Sequence, residues 1–595
     1  MSTWKMVIRS GKELMQIQPL VQILQWLCMA GQSAAAAAVT WLTARLIGVL
    51  SGSSPAGAGW LLLLSGEICG LLLFSELANS IFYYCMVCGD AAAARTLERK
   101  LGKKAAALPL LVMEDEQVLN QLQRAKSSIE QGRFSELLLS VENLAAEGLK
   151  TLGLLAVLMA FHPALAAISM GSVLPRFVTR LLRGKEFYRL KRFQAPLERK
   201  REYLYGLFAN PRAVREMRLY GTAGYLEKKL WAVRDERNRQ VWEFRKKDVR
   251  SMTGCELICR GGYLGSILLT IWLAVEGQVD FGMAAAALGS FSAFQTSAGY
   301  FLVSLGRMPE CVAFVSDYYS FMDLRETENG TEKFPADFDA ITANQVCFSY
   351  PGTKAAALRS VTFSVRKNQT VAIVGENGSG KTTLARLLLG IYQPAGGEIR
   401  YGDQQLEQTD RNDFYGNVSA LLQDFVRYEL SARENVGISR WEALEETEEI
   451  DELLEGAGLA DLAGSERREM VLGKEFGDRT LSGGQWQRLA LARCMFLKGN
   501  ILLLDEPTAA LDPVAETEIL NLFLELSRGK TAVIVSHRIG ICRKVDRIIV
   551  MKDGQVAEMG NHETLLGMRG EYYRLYMAQR KWYAPEGRRS NGYEG

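Results

Sequence analysis

Leu481-Ser482-Gly483-Gly484-Gln485, read with its two flanks, decides how this chain is organised. Upstream stands Gly375-Glu376-Asn377-Gly378-Ser379-Gly380-Lys381-Thr382, which fits the phosphate-binding-loop pattern G-x-x-x-x-G-K-[ST]. Downstream stands Ile501-Leu502-Leu503-Leu504-Asp505-Glu506, an apolar strand ending in two acids. Apolar Val371-Ala372-Ile373-Val374 reads as a buried strand that feeds the glycine loop. Loop glycines let backbone N–H groups approach phosphates, and a helix opening near Lys381 points its positive end at them. Lys381 can reach the β- and γ-phosphates of a nucleotide, Thr382 offers a hydroxyl to Mg²⁺, and Thr383 follows it into the helix. The carboxylate of Asp505 fits the role of holding Mg²⁺, and Glu506 is placed to orient and deprotonate an attacking water. Ser482 and the two glycines after it can present a hydroxyl and N–H groups at a helix N-terminus, a second anion-binding device.

At 595 residues the chain is too long for one compact domain. A net charge of +3 gives no reason to invoke nucleic acid. The hydrophobic fraction is ordinary, but its distribution is not: the first half holds long apolar runs and the second reads as a soluble α/β domain. Cys85-Met86-Val87-Cys88 is a lone CxxC with no second pair at zinc-finger spacing, so its plain reading is small apolar residues in a membrane helix. The apolar stretch from Pro19 is too long for a cleavable secretory signal and lacks a convincing cleavage site.

Six apolar stretches precede residue 310, at roughly 19–48, 59–88, 142–161, 164–183, 252–275 and 282–306. Each approaches or exceeds the ~20 residues that a helix needs to cross hydrocarbon. The connections after the first, third and fifth are short and contain no Lys or Arg: Ser51-Gly52-Ser53-Ser54-Pro55, His162-Pro163 and Glu276-Gly277-Gln278-Val279-Asp280. The long segments 89–140 and 184–250 are rich in both, and the N-terminus adds Lys5, Arg9 and Lys12. The positive-inside rule therefore predicts a cytoplasmic N-terminus, cytoplasmic long connections and a cytoplasmic C-terminal domain in a multi-pass protein of the lipid bilayer. Glu67, Glu76, Arg176, Glu256 and Arg260 fall within the apolar runs. They read either as a polar substrate pathway or as structural pairs and cytoplasmic extensions.

The signature with both flanks resembles the ATP-binding-cassette (ABC) family, and the layout before it resembles the exporter-type half-transporters of that family. The resemblance implies an α-helical six-span membrane domain over 1–310, a connector over 311–335, an α/β P-loop ATPase domain with a helical subdomain over 336–580, and a polar tail over 581–595. It also implies two short coupling helices, near Met113–Leu122 and Asn210–Leu219. By the same resemblance Tyr350 stacks on adenine, Gln423 contacts Mg²⁺ and water, and His537 contacts the γ-phosphate. Ser482, Gly483, Gly484 and Gln485 would close over ATP held by the opposite subunit, so the partner is a second half-transporter, identical or not. Pro507-Thr508-Ala509-Ala510-Leu511-Asp512 resembles the family's link to the dimer-contacting loop, although the family more often has Ser near Ala509.

Leu472-Gly473-Lys474-Glu475-Phe476-Gly477-Asp478-Arg479-Thr480 departs from the usual exporter segment before the signature. With Trp486 it resembles the bacterial lantibiotic and peptide exporter branch, which implies a bacterial plasma membrane and makes a peptide one candidate substrate. No extra domain is expected before the first span, so a leader-cleaving cysteine protease is not expected in this chain. The resemblance implies an ATP-hydrolysing exporter. The same scaffold can serve as an ATP-gated channel, a sensor or an importer, and a soluble ABC ATPase would require 19–306 to be a soluble core.

Overall fold

A computed structural model describes residues 3–50, 58–276, 281–327, 329–353, 355–474, 477, 479–505 and 513–583. The expected loops at 51–55 and 277–280, residues 475, 476 and 478 of the segment before the signature, and the tail from 584 lie outside the described residues. The chain forms two compact units: Met1–Ala106 with Glu116–Leu324, and Ala107–Asp115 with Arg325–Gly595.

The first unit is built from helices α1 (Thr3–Ile17), α2 (Pro19–Leu50) and α3 (Ala58–Ala107), then, beyond the four-residue α4 (Leu110–Met113), α5 (Glu116–Glu130), α6 (Arg133–Phe161), α7 (Pro163–Ala209), α8 (Pro211–Tyr220), α9 (Ala223–Val275) and α10 (Phe281–Met322). Local chemistry sets several boundaries. His162 caps α7 by accepting the Ala164 N–H at Nδ1 (3.2 Å), with Pro163 at the first helical position, where its missing N–H costs nothing. Asn210 and Pro211 repeat the device at the start of α8, where Oδ1 accepts the Arg212 N–H at 2.9 Å. Gly221 ends α8 in the left-handed conformation that glycine adopts without a Cβ penalty. α8 coincides with the second expected coupling helix. The first differs from expectation: Pro109 disfavours helical backbone before it and starts α4 at Leu110, and most of 113–122 belongs to α5.

Among the described residues, four segments are long and apolar enough to cross a membrane: Pro19–Thr43, Gly59–Ala107, Arg133–Phe161 and Ala223–Val275. α7 and α10 cover the other two apolar stretches as unbroken helices of 47 and 42 residues. α9 changes character along its length, from charged residues such as Glu227, Lys228 and Lys229 to the apolar run ending at Val275. Leu158, Leu165, Phe291 and Phe294 form a buried cluster between α6, α7 and α10. Leu62, Leu72, Leu73 and Phe74 of α3, by contrast, are at least half exposed, the pattern of helices whose solvent is lipid. The charges inside the apolar runs find each other in part: Arg176 lies 3.6 Å and Arg260 3.4 Å from Glu256. This supports structural pairing for these three. Glu67 and Glu76 sit on exposed faces of α3.

The second unit holds two sheets. Strands β1 (Ala340–Phe348), β2 (Leu358–Arg366), β3 (Thr370–Gly375), β4 (Gly396–Tyr401), β5 (Gln404–Gln405), β6 (Val418–Leu421), β7 (Ile501–Asp505), β8 (Thr531–Val535), β9 (Arg547–Lys552) and β10 (Gln555–Gly560) follow in chain order. The smaller sheet runs β2-β1-β4-β5 and is antiparallel. The larger runs β10-β9-β3-β8-β7-β6, parallel from β9 to β6, with β10 antiparallel at the edge. Its central strands are mostly apolar and almost wholly buried, as parallel sheets covered on both faces require. Helices α11 (Lys381–Leu388), α12 (Arg411–Gly416), α13 (Ala432–Gly437), α14 (Thr447–Gly456), α15 (Gly483–Phe496), α16 (Pro513–Leu526), α17 (His562–Met568) and α18 (Glu571–Tyr583) complete the unit. α13, α14 and α15 share a separate core of Val436, Ile450, Leu454, Trp486, Leu489 and Phe496, which is the expected helical subdomain.

Candidate nucleotide site

In an open parallel sheet, ligands collect at the carboxyl ends of the strands. Here β3 ends in the glycine loop, Gln423 lies two residues past β6, Asp505 closes β7, and His537 lies two residues past β8. The loop needs its glycines. Gly380 has φ +96°, and a Cβ there would meet Leu358 Cδ2 at 2.6 Å and the Ala357 carbonyl at 2.9 Å. Gly380 then caps α11, whose first residue is Lys381.

Lys381 is buried, and its ammonium donates to the carbonyl oxygens of Gly375 (3.0 Å) and Glu376 (2.8 Å), which holds the charge at the loop. Thr382 donates from Oγ1 to Asp505 Oδ1 at 3.3 Å, so the two oxygen groups expected around Mg²⁺ are already adjacent, with Asp505 buried. Hard oxygen donors of this kind suit Mg²⁺ beside a phosphate. Among the described residues, the buried Ser379 Oγ has no hydrogen-bond partner. A buried hydroxyl left so is costly, and a phosphate oxygen is a partner of the right chemistry.

Tyr350 follows β1, and its hydroxyl lies 3.0 Å from Thr383 Oγ1. Its ring packs edge-to-face on Phe348 and Tyr392, with centroids 5.1 and 5.8 Å away, which fixes the ring plane. Tyr350, Asn377, Gly378, Gly380, Lys381, Thr382, Thr383, Gln423 and His537 line one cleft of about 570 Å³. Glu506 and the segment 507–512 lie outside the described residues.

Ser482, Gly483, Gly484 and Gln485 are not among the residues lining that cleft. They open α15 as a capping box: Ser482 Oγ accepts the Gln485 N–H at 3.2 Å, and Gln485 Oε1 accepts the Ser482 N–H at 2.9 Å. The N–H groups of Gly483 and Gly484 have no acceptor within their own helix.

Tyr392 and Glu114 carry no sequence signal of this kind. The Tyr392 hydroxyl accepts from Arg386 (2.9 Å) and donates to the Glu114 carboxylate (2.9 Å), just after α4, and Leu111 packs on the same core. Burial, with the Glu114 hydrogen bond adding to it, pushes the Tyr392 phenol up to about 12. Only the pairing of aromatic rings across the fold reveals this group. It could not have been found from spacing.

Fold and cleft together define a P-loop ATPase with an α/β core and a helical subdomain. The ABC transporter family pattern matches residues 358–509. The chain is similar to the subtilin transport ATP-binding protein of Bacillus subtilis, 28% identical over 84% of this chain and 82% of that protein. It is 42% identical to the nisin transport ATP-binding protein of Lactococcus lactis, over 39% of each. A solved bacterial Atm1-family ABC exporter with ATP bound shares the fold: TM-score 0.80 and 20% identity, over 96% of this chain and 100% of that one. The chain carries an ABC transporter ATP-binding domain, joined to a helical N-terminal unit in the fold of that exporter.

Proposed function

We propose that this chain is one half of an ATP-driven exporter and that it works in a pair, with a second copy or with a related half-transporter. One observation carries the pairing. The glycine loop, Tyr350, Gln423 and His537 share a cleft, while the second anion-binding end, Ser482 to Gln485, does not line it. ATP held in the cleft of one copy then meets the Ser482 end of the other.

Within the shared site, Tyr350 stacks on the adenine and Lys381 moves from the loop carbonyls to the β- and γ-phosphates. Ser379 and the loop N–H groups bind phosphate oxygens. Thr382, Asp505 and Gln423 would hold Mg²⁺, which when bound neutralises phosphate charge. Glu506 takes the proton of the water that attacks the γ-phosphorus as ADP leaves, and His537 contacts the γ-phosphate.

Six helices, α2, α3, α6, α7, α9 and α10, cross the bilayer, with the N-terminus and the ATPase domain in the cytoplasm of a bacterial cell. Residues 1–310 form the membrane domain, 336–580 the ATPase domain and 581–595 a polar tail. The similarity to the subtilin transport protein supports a peptide as substrate.

The test is Mg²⁺-ATPase activity of the chain purified alone in lipid nanodiscs, with Glu506→Gln as control. Activity that the variant loses supports a self-sufficient pair. A Glu506→Gln rate equal to wild type removes Glu506 from the base role. Well-folded protein that binds ATP without turnover points to a different partner subunit. Accumulation of a labelled peptide precursor in inside-out vesicles tests export of that class.

A further inference from the structure

The C-terminal helix α18 reaches two loops that frame the cleft. Gln579 donates from its side-chain nitrogen to the His537 carbonyl oxygen and accepts the Ile539 N–H at Oε1 (2.9 Å). One planar amide thus closes on a carbonyl and an N–H that bracket Arg538, as a neighbouring strand would. The other side of this short loop is also tied. Ser536 donates its N–H to the Ile373 carbonyl at 3.1 Å, and its Oγ accepts the Arg538 N–H at 3.0 Å. Five residues earlier on α18, Arg574 pairs with the Glu376 carboxylate of the glycine loop and with Glu571. The helix does not depend on Gln579 for its place, because Tyr572 is fully buried and its hydroxyl lies 2.7 Å from His562 Nδ1.

We infer that Gln579 is a positioning residue for ATP hydrolysis: its amide fixes the backbone on both sides of Arg538 and so sets the direction of the His537 imidazole, while Arg574 ties the same helix to the glycine loop. The inference rests on the reading of His537 as the γ-phosphate contact. Packing alone does not account for the arrangement, since any side chain of that length could fill the space. The amide supplies a donor and an acceptor together, and both are used here. A side chain moves with its own backbone, and a displacement of about 1 Å at a reacting centre costs on the order of 100-fold in rate.

The experiment compares wild type, Gln579→Met, His537→Ala and the double variant, full length in nanodiscs. Gln579→Met, which keeps the length and loses both hydrogen bonds, is expected to lower kcat by about 10-fold or more. KM for MgATP is expected to stay within about twofold, and in the His537→Ala background the same change should alter the residual rate by less than about twofold. Equal losses in both backgrounds overturn the inference, because they show an effect on the fold alone. Wild-type kcat in Gln579→Met, with His537→Ala impaired, also overturns it. Wild-type kcat in His537→Ala removes the reading of that histidine, and the positioning role with it.

If Gln579→Met does not fold, Gln579→Glu replaces it. Its carboxylate keeps the acceptor and loses the donor, so its rate relative to wild type should rise as falling pH restores an O–H. A relative rate flat in pH is the overturning result.

Discussion

Ser379→Ala should move nucleotide affinity and nucleotide-free stability in opposite directions. The Ser379 hydroxyl is buried in the glycine loop with no partner among the described residues, and a buried hydroxyl left unbonded costs about 1–3 kcal/mol. Removing it relieves that cost, so the nucleotide-free protein should be as stable as wild type or more so. In the complex the hydroxyl meets a charged phosphate oxygen, a hydrogen bond of about 1.5–3 kcal/mol. At 1.4 kcal/mol per decade its loss weakens ATP binding by roughly 10- to 150-fold. Thermal unfolding without nucleotide gives the first quantity, and titration with a fluorescent ATP analogue under non-hydrolysing conditions gives the second. Unchanged affinity, or a variant clearly less stable without nucleotide, would refute the assignment of this hydroxyl to phosphate.

Lys381→Ala removes a buried ammonium bonded to the Gly375 and Glu376 carbonyls and should weaken ATP binding by at least about 10-fold; equal affinity in the same titration removes its phosphate role. Ser482→Arg should abolish turnover of the full-length protein while ATP binding to the nucleotide cleft persists, because the signature does not line that cleft; wild-type turnover contradicts the shared site. Tyr392→Phe keeps the ring against Phe348 and Tyr350 but leaves Arg386 and Glu114 without the hydroxyl between them. Stability should fall by about 1 kcal/mol with ATP affinity within about twofold, and a large affinity loss at unchanged stability defeats this account.

How much was legible in the sequence follows from the range of the interactions. The glycine loop, the apolar β3 and β7 strands, and Asp505 at a strand end are local patterns, and each appears where its pattern predicts. Helix α8 lies where the layout placed the second expected coupling helix, and Asn210-Pro211 and Gly221 mark its two ends. Around the first, Pro109 starts a short helix that ends at Met113, so 110–122 is divided between α4 and α5. Arg574 with Glu376 and Gln579 with His537 join positions 198 and 42 residues apart. Nothing periodic marks such pairs, since only the path of the chain brings them together. The ion pair of Arg176 with Glu256 was half legible, as charges whose burial demands a partner but not as a particular pair.

The length of α9 has a mechanical consequence. Its 53 residues make a rod of about 80 Å, of which hydrocarbon occupies only about 30 Å. Leverage follows from those proportions: a tilt of about 5° at one end carries the other through about 7 Å. Such a helix can pivot as one stiff member, with none of its own hydrogen bonds broken. The force that such a lever delivers then depends on the stiffness of its middle turns, which already carry Gly254 and, a little further on, Gly261 and Gly262.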